Sequence, residues 1–128
     1  MNIERNNYTF MPEPIGPYVR VVKHNSVLYL SGVTAFGTLA QSESAAAKVK
    51  DIFSQIEKMA QAENSSLANI IKITAFATDL VNIAEVRKVL VGIYGNHLPA
   101  SSAIQISALF MNDLHVEIEA IIAIPAEQ

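Results

Sequence analysis

Residues 42–62, SESAAAKVKDIFSQIEKMAQA, decide the fold of this chain. Apolar side chains recur there at spacings of three and four, which places them on one stripe of an α-helix. The polar side chains, including Lys48, fall mostly outside that stripe, and Asn64 just beyond it suits a left-handed helix end. We therefore predict one long helix with a single buried face. The stripe comprises Ala45, Val49, Ile52, Phe53, Ile56, Met59 and Ala60.

Five shorter segments around this helix are typical of β-strands, because they are rich in β-branched residues. The first two flank the polar sequence His24-Asn25-Ser26, a connection that suits a hairpin between antiparallel strands. The predicted strands are residues 19–23, 27–31, 70–77, 102–107 and 115–124.

A second, shorter helix is predicted between the third and fourth of these strands. Asn82, with Glu85 three residues later, reproduces the spacing of a capping box at its start. Gly95 ends the helix, and Pro99 prevents its continuation. The apolar stripe of this helix is Val86, Val89, Leu90 and Ile93.

The predicted order of elements is β-β-α-β-α-β-β. Two helices can cover one face of a sheet of this size, so the expected fold is α+β, a two-layer sandwich with both helices on one face of a mixed sheet. Pro12, Pro14 and Pro17 each remove a backbone donor, so residues 1–17 are expected to be an irregular N-terminal segment. We expect residues 1–128 to form a single domain.

The composition indicates that this domain associates with copies of itself. The chain is 51% hydrophobic and only 16% charged, whereas soluble domains carry roughly 25% charged residues. The last predicted strand has apolar side chains on both faces, so the sheet face away from the helices is the expected contact surface. Val116, Ile118, Ala120 and Ile122 point one way, and Glu117, Glu119, Ile121 and Ala123 point the other.

Charge and composition exclude several classes of function. The net charge of −3 gives a poor electrostatic footprint for nucleic acid. No apolar run reaches the ~18 residues of a membrane span, and the first residues lack the apolar stretch of a signal peptide. The absence of cysteine excludes disulfides and thiolate catalysis. We therefore expect a soluble cytoplasmic protein with neither membrane nor nucleic-acid partners.

Two carboxylates on the last strand are the candidate chemical groups. Glu117 and Glu119 share one face and are expected to lie about 7 Å apart. Both could be solvated, or one could enter a partly closed cleft where burial raises its pKa and suits it to moving a proton from water. His24, His97 and His115 form no pair at metal-ligand spacing, and the glycines form no nucleotide-binding loop, so no metal or cofactor is predicted.

Five motifs along residues 14–124 together resemble the RidA/YjgF family, whose members are also called endoribonuclease L-PSP-like. The resemblance implies a chorismate-mutase-like homotrimer with a small-molecule ligand cleft between neighbouring subunits. RidA itself hydrolyses reactive enamines and imines, such as 2-aminoacrylate, to a 2-keto acid and ammonia. The motifs are Ile15-Gly16-Pro17-Tyr18, Tyr29-Leu30-Ser31-Gly32, residues 70–74 with Asp79-Leu80, Pro99-Ala100-Ser101-Ser102 and Val116-Glu117-Ile118-Glu119-Ala120.

The resemblance also implies roles for individual residues. Glu119 stands where the family has the glutamate that positions the water, while Tyr18 and Ser31 stand where the family has residues that line the cleft. Ser101 occupies the position of the arginine that binds the substrate carboxylate. Losing that arginine weakens binding of an acidic substrate by at least roughly tenfold.

Another cation could replace the missing arginine. Arg87, on the second helix, is at or beside a position that faces the cleft in RidA-like sequences, and Arg20 is a second, less favoured candidate. The predicted function is therefore hydrolytic deamination of a small imine or enamine. The alternative is a non-catalytic trimer that binds a small metabolite in the same cleft. The negative charge disfavours an endoribonuclease or translation inhibitor.

Overall fold

A computed structural model describes residues 1–126, so the last two residues of the expected domain lie outside the described range. Short 3₁₀ turns at Leu39–Ser42 and Leu67–Asn69 precede the long helix and the third of the predicted strands respectively. The strands are β1 (Glu4–Asn6), β2 (Val21–His24), β3 (Val27–Leu30), β4 (Ile70–Ala77), β5 (Ala100–Gln105) and β6 (Val116–Ala123), and the helices are α1 (Ala45–Ala62) and α2 (Ile83–Tyr94).

The strands form one mixed sheet in the order β1-β2-β3-β6-β4-β5. Neighbouring strands are antiparallel except for β4 and β5, which run parallel across the α2 connection. Both helices pack on the same face of the sheet, where their apolar side chains meet those of the strands. The predicted α+β two-layer sandwich is confirmed.

The apolar stripe of α1 is the centre of the core. Six of its predicted members are buried, and Ala45, at the first turn, is half-buried. Ser44 accepts a hydrogen bond from the backbone N–H of Ala47 at 3.1 Å, so its side chain caps the helix start. Residues 39–42 form a 3₁₀ turn instead of helix, so α1 begins three residues later than predicted. Asn64 has φ +61°, the left-handed conformation predicted for the residue that follows the helix.

The N-terminal segment differs from the prediction. Glu4–Asn6 pairs antiparallel with Val21–Lys23 and adds an edge strand to the sheet, so an irregular segment was wrong for these residues. The tripeptide Glu-Arg-Asn has no β-branched residue and is held by pairing with β2, which a local sequence pattern does not report.

The β2–β3 hairpin has the predicted turn. His24 pairs with Val27, and the two residues between them, Asn25 and Ser26, have φ values of +50° and +60°. Two positive φ angles characterise the two-residue turns that match the twist of antiparallel strands, and asparagine tolerates this conformation well. At the second helix the capping box is wrong, because Asn82 precedes Ile83 but its side chain makes no capping hydrogen bond.

Alternation along β6 separates the two faces of the sheet as predicted. Val116, Ile118, Ala120 and Ile122 are buried under the helices. Glu117 and Glu119 lie on the uncovered face, which we call the open face, beside Phe76 and Thr74 of β4 respectively. Tyr29 and Ile104 are 46% and 44% exposed on that same face, so one chain leaves large apolar side chains uncovered there.

Lys48 is a buried exception to the predicted polar surface of α1. Only 1% of its surface is exposed. Its Nζ donates to the backbone carbonyl of Glu43 at 2.7 Å and lies 2.9 Å from His115 Nδ1. The side chain therefore has polar partners inside the protein, although burial lowers the pKa of the Lys48 ammonium, an effect partly opposed by Asp113.

We predict that Lys48→Met is at least as stable as the wild type near pH 7. The lowered pKa means that the folded state binds this proton less tightly than the unfolded chain, so charged Lys48 opposes folding below its folded-state pKa. This penalty decreases as pH rises toward the unfolded-state pKa of about 10.5. Denaturant titrations between pH 7 and 10.5 should show the advantage of the variant shrinking with pH. Lys50→Met, on the exposed side of α1, is the control, and a large loss of stability in Lys48→Met at every pH would contradict this prediction.

Candidate functional site

A cavity of about 490 Å³ lies beside the segment that connects β1 to β2. We call it the arm cavity, because residues 10–18 of that segment form one of its walls. Phe36 and Phe110 form the opposite apolar wall, with their rings edge to face at a centroid distance of 5.2 Å. Its polar lining includes Arg20, Asp51, Lys58 and Glu117. Its volume is within the range of small-molecule sites.

The segment between β1 and β2, which we call the arm, is held in place by side-chain hydrogen bonds. Tyr8 Oη donates to Glu63 Oε2 at 2.7 Å, and Asn6 Nδ2 donates to the same oxygen at 3.0 Å. Burial, together with the Glu63 carboxylate, raises the pKa of Tyr8 well above its usual range. Arg20 Nη2 donates to the carbonyl of Pro12 at 2.6 Å. These bonds attach the N-terminal part of the cavity wall to the end of α1 and the start of β2.

Glu117 occupies a tight place in the arm cavity, against Gly32. A Cβ on residue 32 would overlap the Glu117 side chain, so only glycine leaves room for the carboxylate there. Burial raises the pKa of Glu117, and the neighbouring Glu119 raises it further. Of the two alternatives that the sequence left open for the glutamates, partial enclosure in a cavity describes Glu117.

Glu119 lies in a different pocket, of about 250 Å³, on the open face. Tyr29, Lys72 and Thr74 line this sheet pocket with it. Lys72 Nζ donates to Ser102 Oγ at 2.9 Å across the β4–β5 pair. Glu119 itself is exposed. The two glutamates therefore share one face of β6 but have different access to water.

Tyr18 and Ser31 lie close to these glutamates. Tyr18 is 42% exposed and lines the arm cavity with Glu117. Ser31 Oγ donates to the carbonyl of Val19 at 2.6 Å, so its hydroxyl proton is already engaged. Ser31 directly precedes Gly32, the residue against which the Glu117 side chain lies. Tyr18 and Ser31 therefore lie near each other where β3 ends, because Ser31 is hydrogen-bonded to the residue that follows Tyr18.

Ser101 and Arg87 are not part of this group within one chain. Ser101 lies on β5 and pairs with Ile73 of β4. Because β4 separates β5 from β6, Ser101 is two strands away from the glutamates. Ser101 and Ala103 are two residues apart on β5, so their side chains lie on the same face of the strand. Ala103 lines an apolar cavity of about 230 Å³ beside α2, on the side of the sheet away from Glu119. Arg87 is exposed on α2 and lines neither the arm cavity nor the sheet pocket. Their predicted roles stay predictions.

Sequence reasoning missed several residues around the site. Strand alternation alone could have placed Lys72 on the same face as Thr74, beside Glu119. No local signal could have found Phe36, Phe110 or the buried contact of Glu117 with Gly32, because loops far apart in sequence create them.

Comparison with known proteins supplies the family. A profile of the family described as Endoribonuclease L-PSP matches residues 9–124. The chain belongs to this family. Among L-PSP family relatives, protein HMF1 of Saccharomyces cerevisiae is 31% identical over 115 residues, covering 88% of this chain and 88% of that protein. A 2-iminobutanoate/2-iminopropanoate deaminase of Salmonella typhimurium is 30% identical, covering 86% of this chain and 89% of that protein.

Solved structures of the L-PSP family share the fold. Yeast Mmf1 superposes with a TM-score of 0.86 at 25% identity, covering 95% of this chain and 98% of that one. RidA from an Antarctic Psychrobacter superposes with a TM-score of 0.85 at 28% identity, covering 94% and 99%. The predicted membership in the RidA/YjgF family is therefore confirmed. No helix within residues 1–126 is long and apolar enough to cross a membrane.

We predict that Glu117→Gln stabilises the protein at neutral pH. Its raised pKa means that the folded state binds the Glu117 proton more tightly than the unfolded chain, so stability falls as pH rises from the unfolded-state pKa through the folded-state pKa. Glutamine fills the same space without the charge. The gain should therefore be present at pH 7 and disappear below the unfolded-state pKa of about 4.5. Thermal melting between pH 3.5 and 8, with exposed Glu57→Gln as the control, measures this. An equal gain at all pH values would exclude relief of a buried charge.

Proposed function

We propose that the protein is a hydrolytic deaminase of small reactive imines or enamines. The observation that carries this proposal is the pair of glutamates on β6, of which Glu117 is held in a cavity beside Tyr18 and Glu119 is open to water. Two carboxyl groups in different environments suit the donor and acceptor roles of a proton-transfer reaction. Family relatives named as 2-iminobutanoate/2-iminopropanoate deaminases support the same chemistry.

The proposed reaction adds water to the carbon of a C=N bond. Glu119 holds the water and takes one of its protons as the oxygen bonds to that carbon, and the nitrogen gains a proton. Burial favours the protonated form of Glu117 relative to an ordinary carboxyl, so it is the better-suited proton donor. The resulting carbinolamine then loses ammonia as its hydroxyl becomes a carbonyl. The imine and one water thus give the keto compound and ammonia.

We place the reaction in clefts between subunits of a homotrimer. Exposed Tyr29 and Ile104 on the open face support self-association through that face. Ser101 and Arg87 lie away from Tyr18 and Glu119 within one chain, so a role for them in binding the same substrate requires a second copy. In the trimer, Ser101 lines the cleft and Arg87 reaches it from a neighbouring subunit.

We predict that Glu119→Ala abolishes imine hydrolysis while leaving the trimer intact. Losing a general base typically lowers the rate by about 10²–10⁴-fold, and Glu119 is exposed in one chain, so the fold does not depend on it. The assay follows loss of freshly generated 2-aminoacrylate, with light scattering to establish three chain masses per particle. Glu57→Ala, exposed on α1, is the control.

Undiminished turnover by Glu119→Ala would remove this residue from the mechanism. If the wild type fails to accelerate loss of 2-aminoacrylate and of larger 2-imino acids but binds keto acids saturably, the protein is a metabolite-binding trimer and the deaminase proposal is wrong.

A further inference from the structure

Arg20 carries an uncompensated positive charge at the wall of the arm cavity. Its Nη2 donates to the Pro12 carbonyl at 2.6 Å, while its Nε is buried and has no acceptor among the described residues. Within residues 1–126 the ion pair within 4.0 Å is Lys23 with Glu4, so neither Asp51 nor Glu117 forms an ion pair with Arg20 at that distance. A half-buried guanidinium without a carboxylate partner is a suitable binding group for an anion.

The orientation of Arg20 is fixed before any ligand arrives. The bond to Pro12 ties the guanidinium to the arm, and the backbone N–H of Arg20 donates to Asn7 Oδ1 at 3.0 Å. A guanidinium has five N–H donors in a planar fork, and the Pro12 bond uses one of them. A donor held in one orientation loses less conformational entropy when it binds.

The acidic groups that line the cavity form no ion pair with Arg20 within 4.0 Å among the described residues. Asp51 accepts a hydrogen bond from Gln55 Nε2 at 2.7 Å, and Glu13 is exposed. Burial raises the pKa of Glu117, so this carboxyl binds a proton more tightly than an ordinary one. A ligand with one carboxylate for Arg20 and a proton-accepting nitrogen for Glu117 is therefore electrostatically complementary to the cavity.

The size and walls of the cavity indicate what else the ligand contains. A volume of about 490 Å³ far exceeds the needs of a molecule as small as 2-aminoacrylate. Phe36 and Phe110 offer an edge-to-face aromatic wall, and Ile15 and Tyr18 line the arm side. Such walls bind a large apolar or aromatic group, because they remove it from water.

We infer that Arg20 binds the substrate carboxylate in the arm cavity, and that the cavity selects 2-imino acids with a large apolar or aromatic side chain. The catalytic half of this statement rests on the proposed deaminase function, whereas binding of the corresponding 2-keto acid does not. Arg20 then supplies the charge that Ser101 lacks. Among the other cations, Lys58 also lines the cavity, but it is exposed on α1 and carries a point charge instead of a planar fork of donors. Arg87 does not line the cavity within one chain, and Lys72 donates to Ser102 outside it.

The test measures binding of phenylpyruvate and pyruvate by calorimetry. The wild type should bind phenylpyruvate more tightly than pyruvate. Arg20→Gln should weaken phenylpyruvate binding at least tenfold, because two charge-assisted hydrogen bonds are lost, and Arg20→Lys should lose less. Arg5→Gln, on exposed β1, is the matched control and should not change the affinity. With the imine of phenylpyruvate as substrate, Arg20→Gln should raise KM more than it lowers kcat.

A second variant keeps the inference testable if Arg20→Gln weakens the arm through its lost bond to Pro12. Phe110→Ala should lower the affinity for phenylpyruvate more than that for pyruvate, because it removes one ring of the aromatic wall and leaves Arg20 unchanged. Equal losses for the two acids would overturn the proposed size selection. Unchanged phenylpyruvate binding in folded Arg20→Gln, or a loss confined to Arg87→Gln, would overturn the role of Arg20.

Failure of the two proposals can be distinguished. A wild type that binds phenylpyruvate in an Arg20-dependent manner but hydrolyses no imine refutes the deaminase and supports the anion site. If the wild type and Arg20→Gln hydrolyse the imine of phenylpyruvate with the same KM, the deaminase proposal is supported and the anion site is refuted.

Discussion

The central position of β6 is the constraint on which the rest of the structure depends. This strand is hydrogen-bonded to β3 on one side and to β4 on the other, so its register cannot slip by one residue without moving its apolar side chains out of the core. Val116, Ile118, Ala120 and Ile122 are held under α1 by that register. Glu117 and Glu119 must then lie on the open face, where a carboxylate can meet water or a ligand.

Chain segments outside the sandwich create the difference between the two glutamates. The arm and the loop containing Phe36 enclose the space around Glu117, whereas Glu119 keeps an open pocket beside Lys72. Strand alternation places both carboxylates on one face, and the covering loops bury one of them. The same strand therefore presents a partly buried carboxyl and an exposed one, two environments that suit the two roles of proton transfer.

The sequence predicts those features that one segment determines alone. The stripe of α1, the Asn25–Ser26 turn and the alternation of β6 each depend on local periodicity or on residues tolerant of positive φ. The remaining features depend on distant partners. Glu4–Asn6 becomes a strand because β2 offers an edge, and Lys48 is buried because the Glu43 carbonyl and His115 satisfy its ammonium. Composition cannot report such pairings, since each partner by itself is typical of the surface.

The cation that lines the arm cavity is likewise identified by contacts between distant segments and not by a local sequence motif. A motif assigns carboxylate binding to the position of Ser101, and a hydroxyl at that position can neither carry the charge nor reach as far as a guanidinium. Arg20 lies far from Ser101 in sequence, but it shares a cavity with Tyr18 and Glu117 and has no carboxylate partner in the described chain. A cation at a different position can bind the substrate carboxylate only if the ligand takes a different orientation in the cavity. The distance from carboxylate to imine is short and fixed, so binding at Arg20 directs the C=N bond toward the carboxyl that lines the same cavity. In the proposed reaction, the position of Arg20 thus gives Glu117 a role together with Glu119.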